Sequence, residues 1–220
     1  MISPPGNHFV PTERHDTYPA IDPTKADLSG KVVLVTGASR GIGRAIAIAI
    51  AGSGAKGLVL FARSDLSEVK AACVSVQRSG HPLEILTVSA DIADNDQVIA
   101  GVKEIEKTFG RLDIVVNNAA FSEKRSVIAD SDPYDWWKVW DVNVRGTYHV
   151  VRATLPLLVQ CGGDKTIVNV GSQASNLLFP QSSAYCVSRT FVPLSIITYN
   201  QSSDLQACPP PLCGIRRCRI

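Results

Sequence analysis

One short run of the chain, Thr36-Gly37-Ala38-Ser39-Arg40-Gly41-Ile42-Gly43, has the composition of a phosphate cradle. Its glycines let the backbone turn tightly and approach a bound group closely. A helix that starts at the end of such a run points unpaired N–H groups and a positive dipole end at an anion. The flanks supply that context. Val32–Thr36 is a β-branched run, and Ile42, Ile46 and Ile50 recur at helical spacing after it. Strand, glycine turn and helix in this order bind the pyrophosphate of a dinucleotide, whereas an ordinary turn needs no such flanks. The expected contacts are Gly37, Ser39, Arg40, Gly41, Ile42 and Gly43.

The end of the second strand decides which dinucleotide. An acidic residue about 20 positions past the glycines would take the ribose 2′-hydroxyl of NAD. Arg63 stands there instead, twenty residues after Gly43. A guanidinium forks onto the 2′-phosphate of NADP, and Arg40 adds a second cation. NADP is therefore the expected cofactor and NAD the less favoured one. The plainer reading of both arginines is solvated surface. Asp65 reads as a helix-start residue rather than a ribose ligand.

The elements that must hold these residues alternate. Strands are expected at Val32–Thr36, Leu58–Ala62, Leu83–Ser89, Leu112–Val116 and Thr166–Val170. Between them lie helices from about Gly43 to Ala51, from Ser64 or Asp65 to about Arg78, and after Asp94 as far as Gly110. Asp132-Pro133 opens a long helix to about Val159 that Pro156 should bend or end, and another helix begins near Ser183. Apolar strands alternating with helices indicate a parallel sheet covered on both faces. The fold class is α/β, a doubly wound, Rossmann-like three-layer sheet, expected to lack its last one or two strands. Residues 1–27, with five prolines, read as an irregular arm; 28–190 form the nucleotide-binding domain; 191–220 read as an atypical, poorly ordered tail.

Composition narrows the class. Of 220 residues 45% are hydrophobic and 19% charged, which suits a chain with a sizeable core and excludes general disorder. A net charge of +2 is too mild for a nucleic-acid footprint, and no apolar run reaches membrane-spanning length. The first residues lack the basic and apolar regions of a signal peptide, so a soluble, cytoplasmic protein is expected. Cys73, Cys161 and Cys186 read as free thiols in apolar or helical stretches. Cys208, Cys213 and Cys218 have neither C-x-x-C spacing nor a nearby histidine, and no metal site is expected.

The order and spacing of further motifs resemble the short-chain dehydrogenase/reductase family over about residues 28 to 190. Thr36–Gly43 matches its glycine turn, and Asp91-Ile92 matches the acidic residue that holds the adenine. Asn117-Asn118-Ala119-Ala120 stands where the family has NNAG. Asn143 matches the catalytic asparagine, with Arg145 a cofactor contact, and Ser172 precedes Tyr185 by thirteen residues as the catalytic serine precedes the tyrosine. The resemblance adds Asp91, Ile92, Asn118, Ala119, Arg145, Tyr185 and Arg189 to the cofactor contacts. It implies hydride transfer between nicotinamide and a small carbonyl or alcohol substrate, with homodimers or homotetramers as the family's assemblies. The proline-rich arm looks like filamentous-fungal members, which implies secondary metabolism.

The chemistry fits those residue types. Hydride transfer to a carbonyl carbon needs a proton at the oxygen, and a phenol of ordinary pKa about 10 supplies it near neutrality only beside a cation. A cation four residues on shares its helix face. Ser172 would hydrogen-bond the substrate oxygen, and Asn143 would order a water. Two positions depart from the family: Arg189 replaces its lysine and Ala120 its glycine. After Thr190 the family's sixth strand, substrate segment and seventh strand are not matched, as in a truncated or frame-shifted chain. The alternative to an active oxidoreductase is a catalytically weak nucleotide-binding remnant.

Overall fold

The computed structural model describes residues 18–160, 162, 165–176 and 179–190, and the backbone alone of 191–197 and 215–219. Five parallel strands and one antiparallel strand form a sheet of order β3-β2-β1-β4-β5-β6. These are β1 (Val32–Thr36), β2 (Gly57–Ala62), β3 (Glu84–Ser89), β4 (Ile114–Asn117), β5 (Thr166–Val170) and β6 (Ile215–Arg219). The helices are α1 (Gly41–Gly52), α2 (Ser67–Val76), α3 (Asn95–Phe109), α4 (Pro133–Trp140), α5 (Thr147–Gln160) and α6 (Ser183–Ile197).

Every residue of β1 and β2 is buried, because helices cover both faces. Alternation divides their side chains between two cores. Val32, Leu34, Val59 and Phe61 pack with Val98 and Ile105 of α3 and Leu158 of α5. Val33, Val35, Leu58 and Leu60 pack with Ala47 and Ala51 of α1 and Val69 and Cys73 of α2. Phe61 is fully buried, and its truncation to alanine should cost about 3–5 kcal/mol. Burial pushes the Cys73 thiol up to about 11, as a buried, inert cysteine requires.

Buried Asp113 sets the register where β1 meets β4. It accepts from the Val32 N–H at 2.9 Å and from Arg111 Nη2 at 2.6 Å. The chain runs outward from β1 to β3, then crosses to β4 on the other side. The crevice at this reversal, past the carboxyl ends of β1 and β4, is where such sheets bind ligands.

Two expectations need correction. The long helix to Val159 is two helices separated by a π turn, Asp141–Gly146, and α5 runs through Pro156 to Gln160. Neither Ser64 nor Asp65 is the N-cap of α2; that position is Leu66, while Asp65 accepts from the Ser67 N–H at 3.2 Å. Helix α6 continues past Thr190 and Pro193 to Ile197. Ile215–Arg219 forms β6, antiparallel to β5 with Ile167 opposite Cys218. Asp94 and Gly110 do cap α3 as their residue types indicate. Cys161 lies outside the described residues, and nothing of the side chains of Cys208, Cys213 and Cys218 is described.

Candidate active site

A cleft of about 320 Å³ opens at the topological reversal. The glycine turn forms one wall through Gly37, Ser39, Arg40 and Gly41. The end of β2 supplies Arg63, the end of β3 supplies Asp91 and Ile92, and the end of β4 supplies Asn118, Ala119 and Ala120.

Each wall has a local cause. Gly41 has φ +57° and nothing within 4 Å of where a Cβ would stand, so its backbone faces open cleft. Gly43 does a different job. A Cβ there would strike the Gly37 carbonyl oxygen and Asn118 Nδ2, so this glycine lets α1 close onto the turn and does not line the cleft. Ile42 points away and is 63% exposed. The N-cap of α1, Arg40, places no side chain on the first-turn N–H groups, which remain free for an anion. An uncapped twelve-residue helix, an open glycine wall and two arginines fit a dinucleotide pyrophosphate and its flanking phosphates.

The β4 end is fastened to β1 by Thr36. Its hydroxyl oxygen accepts from the N–H of Asn118 at 3.0 Å and of Ala119 at 3.1 Å. Asn118 Nδ2 in turn donates to the Thr36 and Gly37 carbonyls. The Asn118 side chain therefore stabilises the turn, while its neighbours form the cleft floor. At the outer end Arg63 Nη1 lies 3.3 Å from Asp91 Oδ2, an exposed pair. The Arg40 guanidinium carries no such pairing among the described residues.

The catalytic candidates collect beyond this cleft, around α6. Arg189 is 7% exposed, donates from Nη1 to the Val170 carbonyl at 3.1 Å and stacks 5.1 Å from the Tyr185 ring centroid. Its Nε has no hydrogen-bond partner among the described residues. Ser172 caps a short 3-10 turn by accepting from the Ala174 N–H at 3.1 Å, which leaves its own proton to donate. Thr190 Oγ1 donates to the Ser175 carbonyl at 3.0 Å and ties that turn to α6. Arg189 thus joins the Tyr185 ring to the carboxyl end of β5, which Ser172 follows by two residues.

Asn143 sits in the π turn, which directs its amide inward. Its Oδ1 accepts from the Phe121 N–H at 2.8 Å, and Nδ2 donates to the Phe121 carbonyl and to Ser188 Oγ, both at 2.9 Å. The side chain is a clamp whose groups are all engaged within the protein. Arg145 does not reach the cleft; it pairs with Asp141 at 3.1 Å on the surface, as an i,i+4 pair should. Thr36, Ser188 and Glu123 are structural partners of the site that residue patterns did not single out. Only Thr36, inside the glycine motif, carried a signal; Glu123 stands in a loop without periodicity. Among the described residues no cluster of metal-binding side chains occurs, and no helix is long and apolar enough to cross a membrane.

Comparison with known proteins agrees with this geometry. The family model for short chain dehydrogenase matches residues 31–196. The chain is 45% identical over 189 residues to the short chain dehydrogenase citE of Monascus ruber, covering 84% of this chain and 64% of that protein. It therefore spans just under two thirds of this relative's length. A metagenomic short-chain oxidoreductase solved in complex with NADP is 30% identical with a TM-score of 0.70, covering 79% of this chain and 75% of that one. NAD+-bound xylitol dehydrogenase is 27% identical with a TM-score of 0.71, covering 79% and 65%.

Proposed function

The chain belongs to the short-chain dehydrogenase family, and on that premise we propose that it is an NADP(H)-dependent oxidoreductase acting on a carbonyl or secondary alcohol. The observation that carries this reading is the buried guanidinium of Arg189 against the ring of Tyr185. A bound nicotinamide would supply or take up the hydride. The phenol of Tyr185 gives its proton to the carbonyl oxygen, and the adjacent cation stabilises the phenolate left behind. Ser172 donates to the same oxygen as negative charge gathers there. Asn143 holds the Phe121 loop against α6, so the cleft floor and the proton donor keep one spacing. Ala119 and Ala120 complete the floor, and Arg63 and Arg40 bracket the site for a 2′-phosphate. The substrate is a small molecule, and the matches in Monascus support a setting in fungal secondary metabolism.

A second reading rests on one feature. Arg189 commits Nη1 to a backbone carbonyl and, among the described residues, leaves Nε without a partner, so it is less free than a lysine ammonium to serve ribose hydroxyls. A chain that binds nucleotide with little turnover would follow. Fluorescence titration of the purified chain with NADPH and NADH, followed by absorbance assays on a panel of ketones and aldehydes, separates the two. Binding with turnover supports the oxidoreductase, and binding without turnover supports the second reading. No binding overturns both.

A further inference from the structure

The geometry points to Glu123 as a positioning residue for Tyr185, an inference that rests on the oxidoreductase reading above. Glu123 follows β4 by six residues and is only 9% exposed. Both of its carboxylate oxygens face the first turn of α6. Oε1 accepts from the Ala184 N–H at 3.0 Å and from the Tyr185 N–H at 3.2 Å, and Oε2 also lies 3.2 Å from the Tyr185 nitrogen. A buried carboxylate is costly unless its charge is met, and here the helix N-terminus meets it with two N–H groups and the dipole.

The N-cap position is Ser182, whose carbonyl accepts from the Cys186 N–H at 3.1 Å, and Ser183 Oγ accepts from Trp136 Nε1 at 3.0 Å. The side-chain cap on the tyrosine N–H comes from 62 residues away. The consequence is geometric. The loop that carries Glu123 also carries Asn118 and Ala119, which line the cleft. Asn143 grips that loop at Phe121 and reaches α6 at Ser188. Glu123 grips the same helix at Tyr185 itself. The phenol is thereby referenced to the cleft floor by two independent ties, one of which ends on its own backbone.

The test compares the full chain with Glu123→Ala and Glu123→Gln, the latter keeping one acceptor oxygen. Glu123→Ala should lower kcat by about 10²-fold per folded molecule, since a small misplacement of a reacting group has that effect. KM for the carbonyl and NADPH affinity should stay within about twofold, because binding groups are untouched. Glu123→Gln should lower kcat by about three- to tenfold, less than alanine but short of the parent. Amide exchange at Ala184 and Tyr185 should quicken in the alanine variant and slow again in the glutamine variant. A fall in kcat that only tracks the folded fraction, counted by NADPH stoichiometry, overturns the role. So does a glutamine variant no better than alanine. If the alanine variant does not fold, the glutamine variant decides: intact KM with reduced kcat supports the role, and parental kcat with unchanged exchange overturns it. A parent chain that binds NADPH but turns over no carbonyl overturns the oxidoreductase reading and this role together.

Discussion

Arg63 and Arg189, the cations at the two ends of the proposed nucleotide site, stand in opposite surroundings. The Arg63 side chain is 56% exposed and shares its charge with Asp91 across 3.3 Å. Arg189 is buried, with a carbonyl and an aromatic face as its partners. An exposed ion pair is worth little, about 0–1 kcal/mol, so Arg63 exchanges partners readily. A buried guanidinium is fixed by whatever satisfies it, because leaving it unmatched is expensive. Under the proposed function, the adenosine end would therefore select among ligands, and the tyrosine end would hold one arrangement. The same contrast extends to their neighbours. The glycine wall presents backbone to an open cleft, whereas Asn143, Glu123 and Ser188 form a closed set of bonds around α6.

That contrast is most severely tested at the tyrosine end. Tyr185→Phe should reduce turnover by about 10³-fold while NADPH affinity stays unchanged, measured by steady-state assay and fluorescence titration. Parental turnover would remove the tyrosine end from the chemistry. Asn143→Ala strips partners from Phe121 and Ser188, and urea unfolding should show a loss of about 2–3 kcal/mol. A stability unchanged within error would mean that this clamp is not a rigid element.

At the adenosine end, Arg63→Asp should lower the NADPH-over-NADH affinity ratio by about tenfold or more, with stability nearly constant. An unchanged ratio would show that Arg63 does not read the 2′-phosphate. The smallest effect sharpens the comparison. Arg189→Lys removes the orphaned Nε and offers a compact ammonium, so turnover should rise by about tenfold. No gain in single-turnover assays would mean that the cation is not what limits the reaction.

Much of the nucleotide half was legible from residue types. β-Branched runs, helical isoleucine spacing and the caps Asp94 and Gly110 are local signals, and they sit where the strands and helices form. The glycine turn was legible for the same reason, although only the fold separates Gly41, which faces the cleft, from Gly43, which closes α1 onto the turn. The catalytic half was legible only as a spaced set of residues. No capping residue marks the π turn that follows Trp140, because the backbone stays helical on both sides of it. Nor does any local rule foresee α6 running through Pro193, or β6 pairing antiparallel with β5.

The sequence by itself determined the strand–helix alternation and the glycine turn between β1 and α1, and offered Ser172, Tyr185 and Arg189 as site candidates. These follow from periodicity, propensity and motif spacing, which act within a few residues. Tertiary structure alone decided that Asn143 spends its amide on Phe121 and Ser188, and that Glu123 caps the tyrosine helix. Those pairings join residues far apart in the chain. A buried polar group takes whichever partner the packed sheet brings within hydrogen-bond distance, and composition carries no record of that choice.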